Sequence, residues 1–215
     1  ISLGLVGSEM CIRDSISTIY TSDNNTIWVG TDGGIIFQGD PYMKSFYPIK
    51  YGLANTDVQT FTHSFPSWLG GRNFSGEVGS LSLVDPYQSY FDWYEGELLI
   101  NVDYLDVFEN CKVDDEYWFG GIGSIIVYDS KRDFWRTLDA SRGVPYGEIR
   151  YFEPDTNFIW AASNYEIKKI NTKTKRSVST GLSKILKNGY INGLSLIDSY
   201  LWITTEYKLL CYNTD

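Results

Sequence analysis

Histidine, cysteine and positive charge are scarce in this sequence of 215 residues. A single histidine, His63, excludes a metal site built from several histidines and any chemistry that needs two of them. The three cysteines, Cys11, Cys111 and Cys211, form no CxxC pair and no disulfide framework. With 18 Lys and Arg against 27 Asp and Glu, the net charge is −9. This balance argues against nucleic acid as a partner, because basic side chains supply most of that affinity.

Long apolar runs are also missing, since none approaches the roughly eighteen residues that a membrane-spanning helix needs. We therefore predict no membrane span. Aromatic residues and glycine, in contrast, are plentiful, with 17 Tyr, 11 Phe, 7 Trp and 20 Gly. This mixture is typical of strands joined by tight turns. The length suits one domain, or one elongated all-β unit, with a sizeable core.

The first fifteen residues, ISLGLVGSEMCIRDS, differ in kind from the rest. They contain no initiator Met, no basic stretch and no small-residue cleavage site, so they do not fit a signal peptide. The string resembles the translated sequencing-adapter read-through found at the ends of proteins from metagenomic assemblies. We therefore treat residues 1–15 as a non-native artefact and assign the fold to residues 16–215. Within that range Cys111 and Cys211 lie in apolar runs, where we expect buried thiols.

Five tryptophans recur in matching contexts, each flanked by apolar residues. They are Trp28, Trp68, Trp118, Trp160 and Trp202, at spacings of 40, 50, 42 and 42 residues. Each follows a short run in which apolar and polar residues alternate, as in a strand with two different faces. Asp129, Asn171 and Asn213 each follow a tryptophan by 11 residues, and their side chains favour a turn. We expect the five tryptophans to be core residues.

Each unit therefore contains four strands in about 42 residues, which is the pattern of a propeller blade. Helical repeats have shorter periods, and no stretch shows sustained helical spacing of apolar residues. We predict an all-β fold, a β-propeller of four-stranded antiparallel blades. About five blades are present, centred on the five tryptophans, as an incomplete part of a larger propeller.

The segment Asn25 to Ile35, NTIWVGTDGGI, closely resembles the two-component-regulator propeller repeat. It has that family's core of Trp between apolar residues, followed by Gly-Thr and a glycine turn. Residues 51–58, YGLANTDV, match the family's link into the next blade. The last two repeats depart from the pattern, because Ala162 and Thr204 replace the glycine. The resemblance covers residues 16 to 215.

This resemblance implies an extracytoplasmic protein, periplasmic or on the bacterial cell surface. It also implies that the chain is the sensor part of a two-component-type signalling protein, a role in which such propellers often detect glycans. An interaction scaffold in a surface or secretion assembly, or a propeller lyase or hydrolase, remains an alternative. We find no catalytic, metal or cofactor motif, and we predict a non-catalytic binding protein without a cofactor. Its partner would be a glycan, a peptide or a protein, and the chain is expected to be a fragment cut at both ends.

Two kinds of loop reach the same face of a propeller: the turn between the second and third strands, and the link into the next blade. In the second repeat that turn, which we place at residues 70–79, is six residues longer. We expect a ligand face lined by residues of this loop and four tyrosines of neighbouring loops: Arg72, Asn73, Phe74, Glu77, Tyr146, Tyr165, Tyr190 and Tyr207. Aromatic rings with a few polar partners suit a sugar or peptide, and an ordinary solvated insertion is the alternative. The enzyme alternative would rest on Asp32, Asp57, Glu148 and Glu206.

Overall fold

The computed structural model contains five antiparallel β-sheets that follow one another along the chain. It describes residues 16–21, 27–31, 36–39, 46–49, 57–62, 66–72, 80–85, 92–95, 105–182, 186 and 190–214. Residues 1–15, which we assign to read-through, therefore lie outside the described residues, and so does His63.

Each sheet is formed by strands that are consecutive in the sequence, and we name the sheets blades 1 to 5. Blade 1 contains β1 (Ile16–Thr21), β2 (Ile27–Thr31), β3 (Ile36–Gly39) and β4 (Phe46–Ile49). Blade 2 contains β5 (Asp57–Phe61), β6 (Ser67–Arg72), β7 (Ser80–Val84) and β8 (Asp92–Glu95). Blade 3 contains β9 (Glu109–Val113), β10 (Glu116–Gly120), β11 (Ile125–Asp129) and β12 (Phe134–Leu138). Blade 4 contains β13 (Ile149–Asp155), β14 (Phe158–Ser163), β15 (Ile167–Asn171) and β16 (Arg176–Val178), and blade 5 contains β17 (Ile191–Ile197), β18 (Tyr200–Thr205) and β19 (Leu209–Asn213).

Neighbouring strands in every blade are antiparallel, and their spatial order follows their order in the sequence. The first strands contact one another between blades, because β9 contacts both β5 and β13, and β13 contacts β17. This arrangement confirms the predicted all-β propeller fold of four-stranded antiparallel blades. The five repeated tryptophans lie on β2, β6, β10, β14 and β18, the second strand of each blade.

The described cores lie between neighbouring blades, because β10 and β14 direct alternate side chains towards the blade before and the blade after. On β10, Phe119 packs against Trp68 of blade 2, whereas the adjacent Trp118 packs among residues of β13 and β14 in blade 4. Trp160 packs in the same way among residues of β17 and β18 in blade 5. Trp68, Trp118 and Trp160 are at most 2% exposed, which confirms the prediction that they are core residues.

Blade 5 corrects two expectations about burial. Trp202 was expected in the core but is 36% exposed. Cys211, expected to be buried, is also exposed, and it lies opposite Trp202 in the pairing of β18 with β19. Among the described residues no further blade packs on this side of blade 5, so the face that carries both side chains is uncovered. Cys111 is half-buried against the core between blades 3 and 4, and the side chain of Trp28 lies outside the described residues.

Two of the predicted polar turns take the expected form. Asp129 accepts the backbone N–H groups of the residues two and three positions later, both at 3.1 Å. Asn171 accepts the equivalent groups at 3.0 and 2.8 Å. These side chains terminate the third strands of blades 3 and 4 by offering the backbone a local hydrogen-bond partner.

Candidate ligand-binding face

Three of the predicted tyrosines lie side by side at one end of blades 3 to 5. Tyr146 belongs to the link from β12 to β13, Tyr165 to the turn between β14 and β15, and Tyr190 directly precedes β17. The Tyr146 and Tyr165 ring centroids are 6.4 Å apart, and those of Tyr165 and Tyr190 are 5.3 Å apart. The three residues are 76%, 55% and 46% exposed. We call this set the tyrosine row.

Backbone contacts hold the first two members of the row in place. Gly147 adopts a φ of 90°, and a Cβ at this position would approach the Tyr165 ring to 3.3 Å. Glycine is therefore the residue that suits this link both in conformation and in space. The Tyr146 N–H donates to the Glu166 carboxylate at 3.2 Å, and the Gly147 carbonyl accepts from the Gly123 N–H at 2.7 Å.

The turn that carries Tyr165 is closed by Ser163, whose Oγ accepts the N–H groups of Tyr165 and Glu166, each at 3.2 Å. Its Asn164 carbonyl accepts the Ile191 N–H at 2.9 Å, which fixes the link that carries Tyr190. A hydrogen bond with Tyr190 raises the pKa of Tyr165, and the negative charge of Glu148 contributes to the same shift. The row is thus anchored by hydrogen bonds and lies next to a carboxylate.

A charged group borders the row towards blade 2. The guanidinium carbons of Arg72 and Arg150 lie 5.3 and 5.2 Å from the ring centroid of Phe108, within cation–π distance. Arg72 forms an ion pair with Asp57 at 3.6 Å, and Arg150 pairs with Glu148. Because all four charged side chains are only about one-third exposed, this group is partly shielded from solvent. It offers both hydrogen-bond donors and acceptors beside the aromatic rings.

Sequence reasoning missed Phe108, Arg150 and Glu166. In the sequence, Phe108 is one more apolar residue next to the first strand of a blade. Its packing against two arginines depends on contacts between blades. Arg150 and Glu166 each had a signal that could have been used, because each is close in sequence to a predicted tyrosine on the same face.

The other predicted site residues have different outcomes. Arg72 is the last residue of β6, so the expected loop of residues 70–79 is shortened to residues 73–79. This connection is still longer than the turns between β10 and β11 or between β14 and β15, which contain residues 121–124 and 164–166. Asn73, Phe74 and Glu77 lie outside the described residues. Tyr207 is 80% exposed in the turn between β18 and β19, and this turn contacts the row where the Glu206 N–H donates to the Tyr190 carbonyl at 3.3 Å.

Two of the four candidate carboxylates for an enzyme are engaged in ion pairs. Asp57 and Glu148 pair with arginines, and Asp32 lies outside the described residues. Burial raises the pKa of Glu153 on β13, the negative charge of Glu109 contributes, and a hydrogen bond from the Leu196 N–H opposes the shift. Within the part of the chain that the structure describes, no three His, Cys, Asp or Glu side chains are grouped to hold a metal ion. No helix among these residues has the length and apolar character to cross a membrane.

Solved structures with the same fold include two extracellular domains from B. thetaiotaomicron. The extracellular domain named for the hybrid two component system BT3049 is 18% identical and has a TM-score of 0.58. That of the hybrid two component system BT4673 is 16% identical, with a TM-score of 0.56. The computationally designed Ika8 protein is 12% identical, with a TM-score of 0.57.

These matches cover 93%, 93% and 94% of this chain, respectively, and 27%, 28% and 59% of the matched chains. The chain thus spans about a quarter of the length of the two bacterial domains. No protein-family model matches the sequence, and a search of curated proteins gave no match. At these identities the similarity establishes the fold, a propeller architecture that occurs in extracellular domains of bacterial two-component proteins.

Proposed function

We propose that the tyrosine row, with the charged group beside it, binds a glycan as the extracytoplasmic sensor part of a two-component-type signalling protein. The observation that carries this proposal is the succession of three exposed tyrosine rings at 6.4 and 5.3 Å on loops fixed by backbone hydrogen bonds. Exposed aromatic rings that touch one another without being covered are unusual on a surface with no binding role.

The chemistry of the row suits a sugar. A pyranose ring presents C–H groups that pack on a phenol face, and its hydroxyls need donors and acceptors at the edge of that contact. The phenol hydroxyls, the Glu148 carboxylate and the Arg150 guanidinium supply both. The neighbouring rings are inclined by 44° and 52°, so they contact a ligand from more than one direction.

The extracellular two-component domains that share this fold support the sensor role and an extracytoplasmic location, periplasmic or at the cell surface. The protein acts without catalysis in this proposal, because the ligand-face carboxylates Asp57 and Glu148 are held in ion pairs with arginines. Binding would then be reported to the remainder of a signalling protein.

The test is a binding screen of the whole chain against immobilised glycans and peptides, followed by titration calorimetry with each positive compound. Tyr165→Ala, which removes the central ring, is expected to weaken glycan binding by at least tenfold, about 1.4 kcal/mol. Tyr200→Ala is the matched control, because Tyr200 is 47% exposed at the opposite end of blade 5. Deleting residues 73–79 tests whether the long connection contributes.

Glycan binding that is equal in Tyr165→Ala and the parent chain would contradict the proposal. Binding of peptides alone, lost in Tyr165→Ala, would replace the glycan with a protein partner and favour a surface or secretion scaffold.

A further inference from the structure

A cleft lies between blades 3 and 4 at the end opposite to the tyrosine row. Its volume is about 320 Å³, and it opens among the turns that join first to second and third to fourth strands of both blades. The charged side chains of its lining are Asp114, Glu116, Arg132, Arg136, Lys173 and Lys175. Four of these side chains are cationic and two are anionic, in a chain whose net charge is −9.

Two carboxylates at the cleft are already in ion pairs, namely Glu116 in its lining and the nearby Asp129, whereas the lining residue Asp114 is exposed. Glu116 pairs with Lys175, whose ammonium also donates to the Thr172 carbonyl and lies 4.6 Å from the Trp118 ring centroid. Asp129 pairs with Arg132 at 3.2 Å. Lys175 is therefore a fixed structural cation that forms the floor of the cleft.

Arg136 forms no ion pair among the described residues, and its guanidinium carbon lies 5.2 Å from the Phe134 ring centroid. Its Nε is buried and has no hydrogen-bond partner among the described residues. Burial lowers the pKa of Lys175, and the positive charge of Arg136 adds to this shift, so the two cations are close enough to repel each other. Arg136 also lines the cleft, so an anion bound there would place acceptors beside the rest of its guanidinium group.

We propose that this cleft binds a small oxyanion, such as sulfate, phosphate or a sugar carboxylate, through Arg136 and Lys173. Guanidinium groups bind such anions with two parallel hydrogen bonds, and Lys173, which is exposed at the rim, adds a second positive charge. Thr156 and Asn157 provide neutral polar groups at the same rim. The site is separate from the tyrosine row, so either proposal can fail alone.

The experiment is titration calorimetry of the intact chain with sodium sulfate, sodium phosphate and sodium glucuronate, at an ionic strength held constant with sodium chloride. We expect saturable binding of at least one oxyanion that chloride does not reproduce. Arg136→Gln should weaken it by at least tenfold, and Lys173→Gln, at an exposed position, should weaken it by about threefold to tenfold. Inorganic sulfate or phosphate binding alone would indicate a free anion, whereas tighter glucuronate binding would indicate a charged sugar.

Lys208→Gln is the control, since it removes one exposed positive charge at the other end of blade 5 and should leave oxyanion binding unchanged. Equal heats for the oxyanions and chloride would overturn the proposal. Equal losses of oxyanion affinity in Lys173→Gln and Lys208→Gln would also overturn it, because the effect would then be one of overall charge. Lys173→Gln keeps the proposal testable if Arg136→Gln does not fold.

Discussion

Blades 4 and 5 are built from the same repeat, yet their equivalent tryptophans have opposite environments. Trp160 is 1% exposed and packs among residues of blade 5, whereas Trp202 is 36% exposed. The residues paired with them across the sheet follow the same trend, because Lys169 lies opposite Trp160 and is half-buried, while Cys211 lies opposite Trp202 and is exposed.

The environment of a blade's tryptophan is therefore determined by the blade that follows. The other side of the same strand makes this clear, since Leu201 and Ile203 of β18 face blade 4 and are completely buried. Blade 5 therefore has one side in a core and one side uncovered among the described residues. Four predictions test how far this contrast governs stability and reactivity.

The largest effect is expected at the packed tryptophan. Trp160→Ala should lower the free energy of unfolding by about 3–5 kcal/mol, because it opens a cavity between two blades. Trp202→Ala, the matched substitution, should cost less, about 2 kcal/mol, because about a third of the residue's surface is already in water. Urea unfolding followed by circular dichroism measures both changes.

Trp160→Phe should cost less than Trp160→Ala, since it keeps an aromatic ring and removes a buried indole N–H that has no partner among the described residues. Equal losses in Trp160→Ala and Trp202→Ala would contradict the contrast between the two blades.

The next largest loss of stability is expected at the position two residues after a blade's tryptophan, which is Gly120 in blade 3. A Cβ on Gly120 would lie 2.8 Å from the Ile149 carbonyl oxygen, so Gly120→Ala should cost about 1–3 kcal/mol by overpacking. Thr204 occupies the same position in blade 5 and is exposed, and Thr204→Ala should change the free energy of unfolding by less than about 0.5 kcal/mol. Thermal unfolding of both variants measures these changes, and a Thr204→Ala variant destabilised as much as Gly120→Ala would contradict the prediction.

Sequence alone predicted the parts of the fold that depend on local pattern. Alternation identified the strands, the spacing of tryptophans identified the blades, and Asp129 and Asn171 close the turns as expected. The exposure of Trp202 could not be predicted, because it depends on what packs against the blade and not on the blade's own residues. Gly120 is explained only when the approach of Ile149 is known.

The candidate site was predictable in the same partial way. Loop position alone assigned Tyr146, Tyr165 and Tyr190 to one face, and the structure places their rings in a row. The contacts of Phe108 with two arginines depend on three-dimensional neighbours that lie far apart in the sequence. The oxyanion cleft could not be predicted from the sequence for the same reason, because its basic residues are scattered along two blades and form no motif.

A smaller effect is expected where the first strands of blades 4 and 5 meet. Because burial raises the pKa of Glu153, its proton is held more tightly in the folded state than in the unfolded state. The contribution of the Glu153 carboxyl group to the free energy of unfolding is fully favourable below its unfolded pKa of about 4.5. It is lost as the pH rises through the folded pKa. Glu153→Gln should therefore raise the free energy of unfolding at pH 7 by a fraction of a kcal/mol, since solvent screens this half-exposed group.

The gain from Glu153→Gln should disappear at pH 4, because the parent glutamate is then mostly protonated in both states. Urea unfolding at pH 4 and pH 7 measures this change. Glutamine keeps an oxygen that can accept the Leu196 N–H, so the substitution tests charge with that hydrogen bond preserved. A gain of the same size at both pH values would attribute the effect to packing.

The last prediction uses the two described cysteines to compare a covered and an uncovered face without changing stability. Burial raises the pKa of the Cys111 thiol, and the negative charges of Glu109 and Glu153 act in the same direction, so little reactive thiolate forms. Cys211 is exposed beside Trp202. In a Cys11→Ser background, a thiol reagent at pH 8 should label Cys211 within minutes, while Cys111 reacts only after unfolding in urea. Protection of Cys211 that disappears on dilution would show that a second copy of the chain covers the Trp202 face, whereas protection independent of concentration would contradict the uncovered face itself.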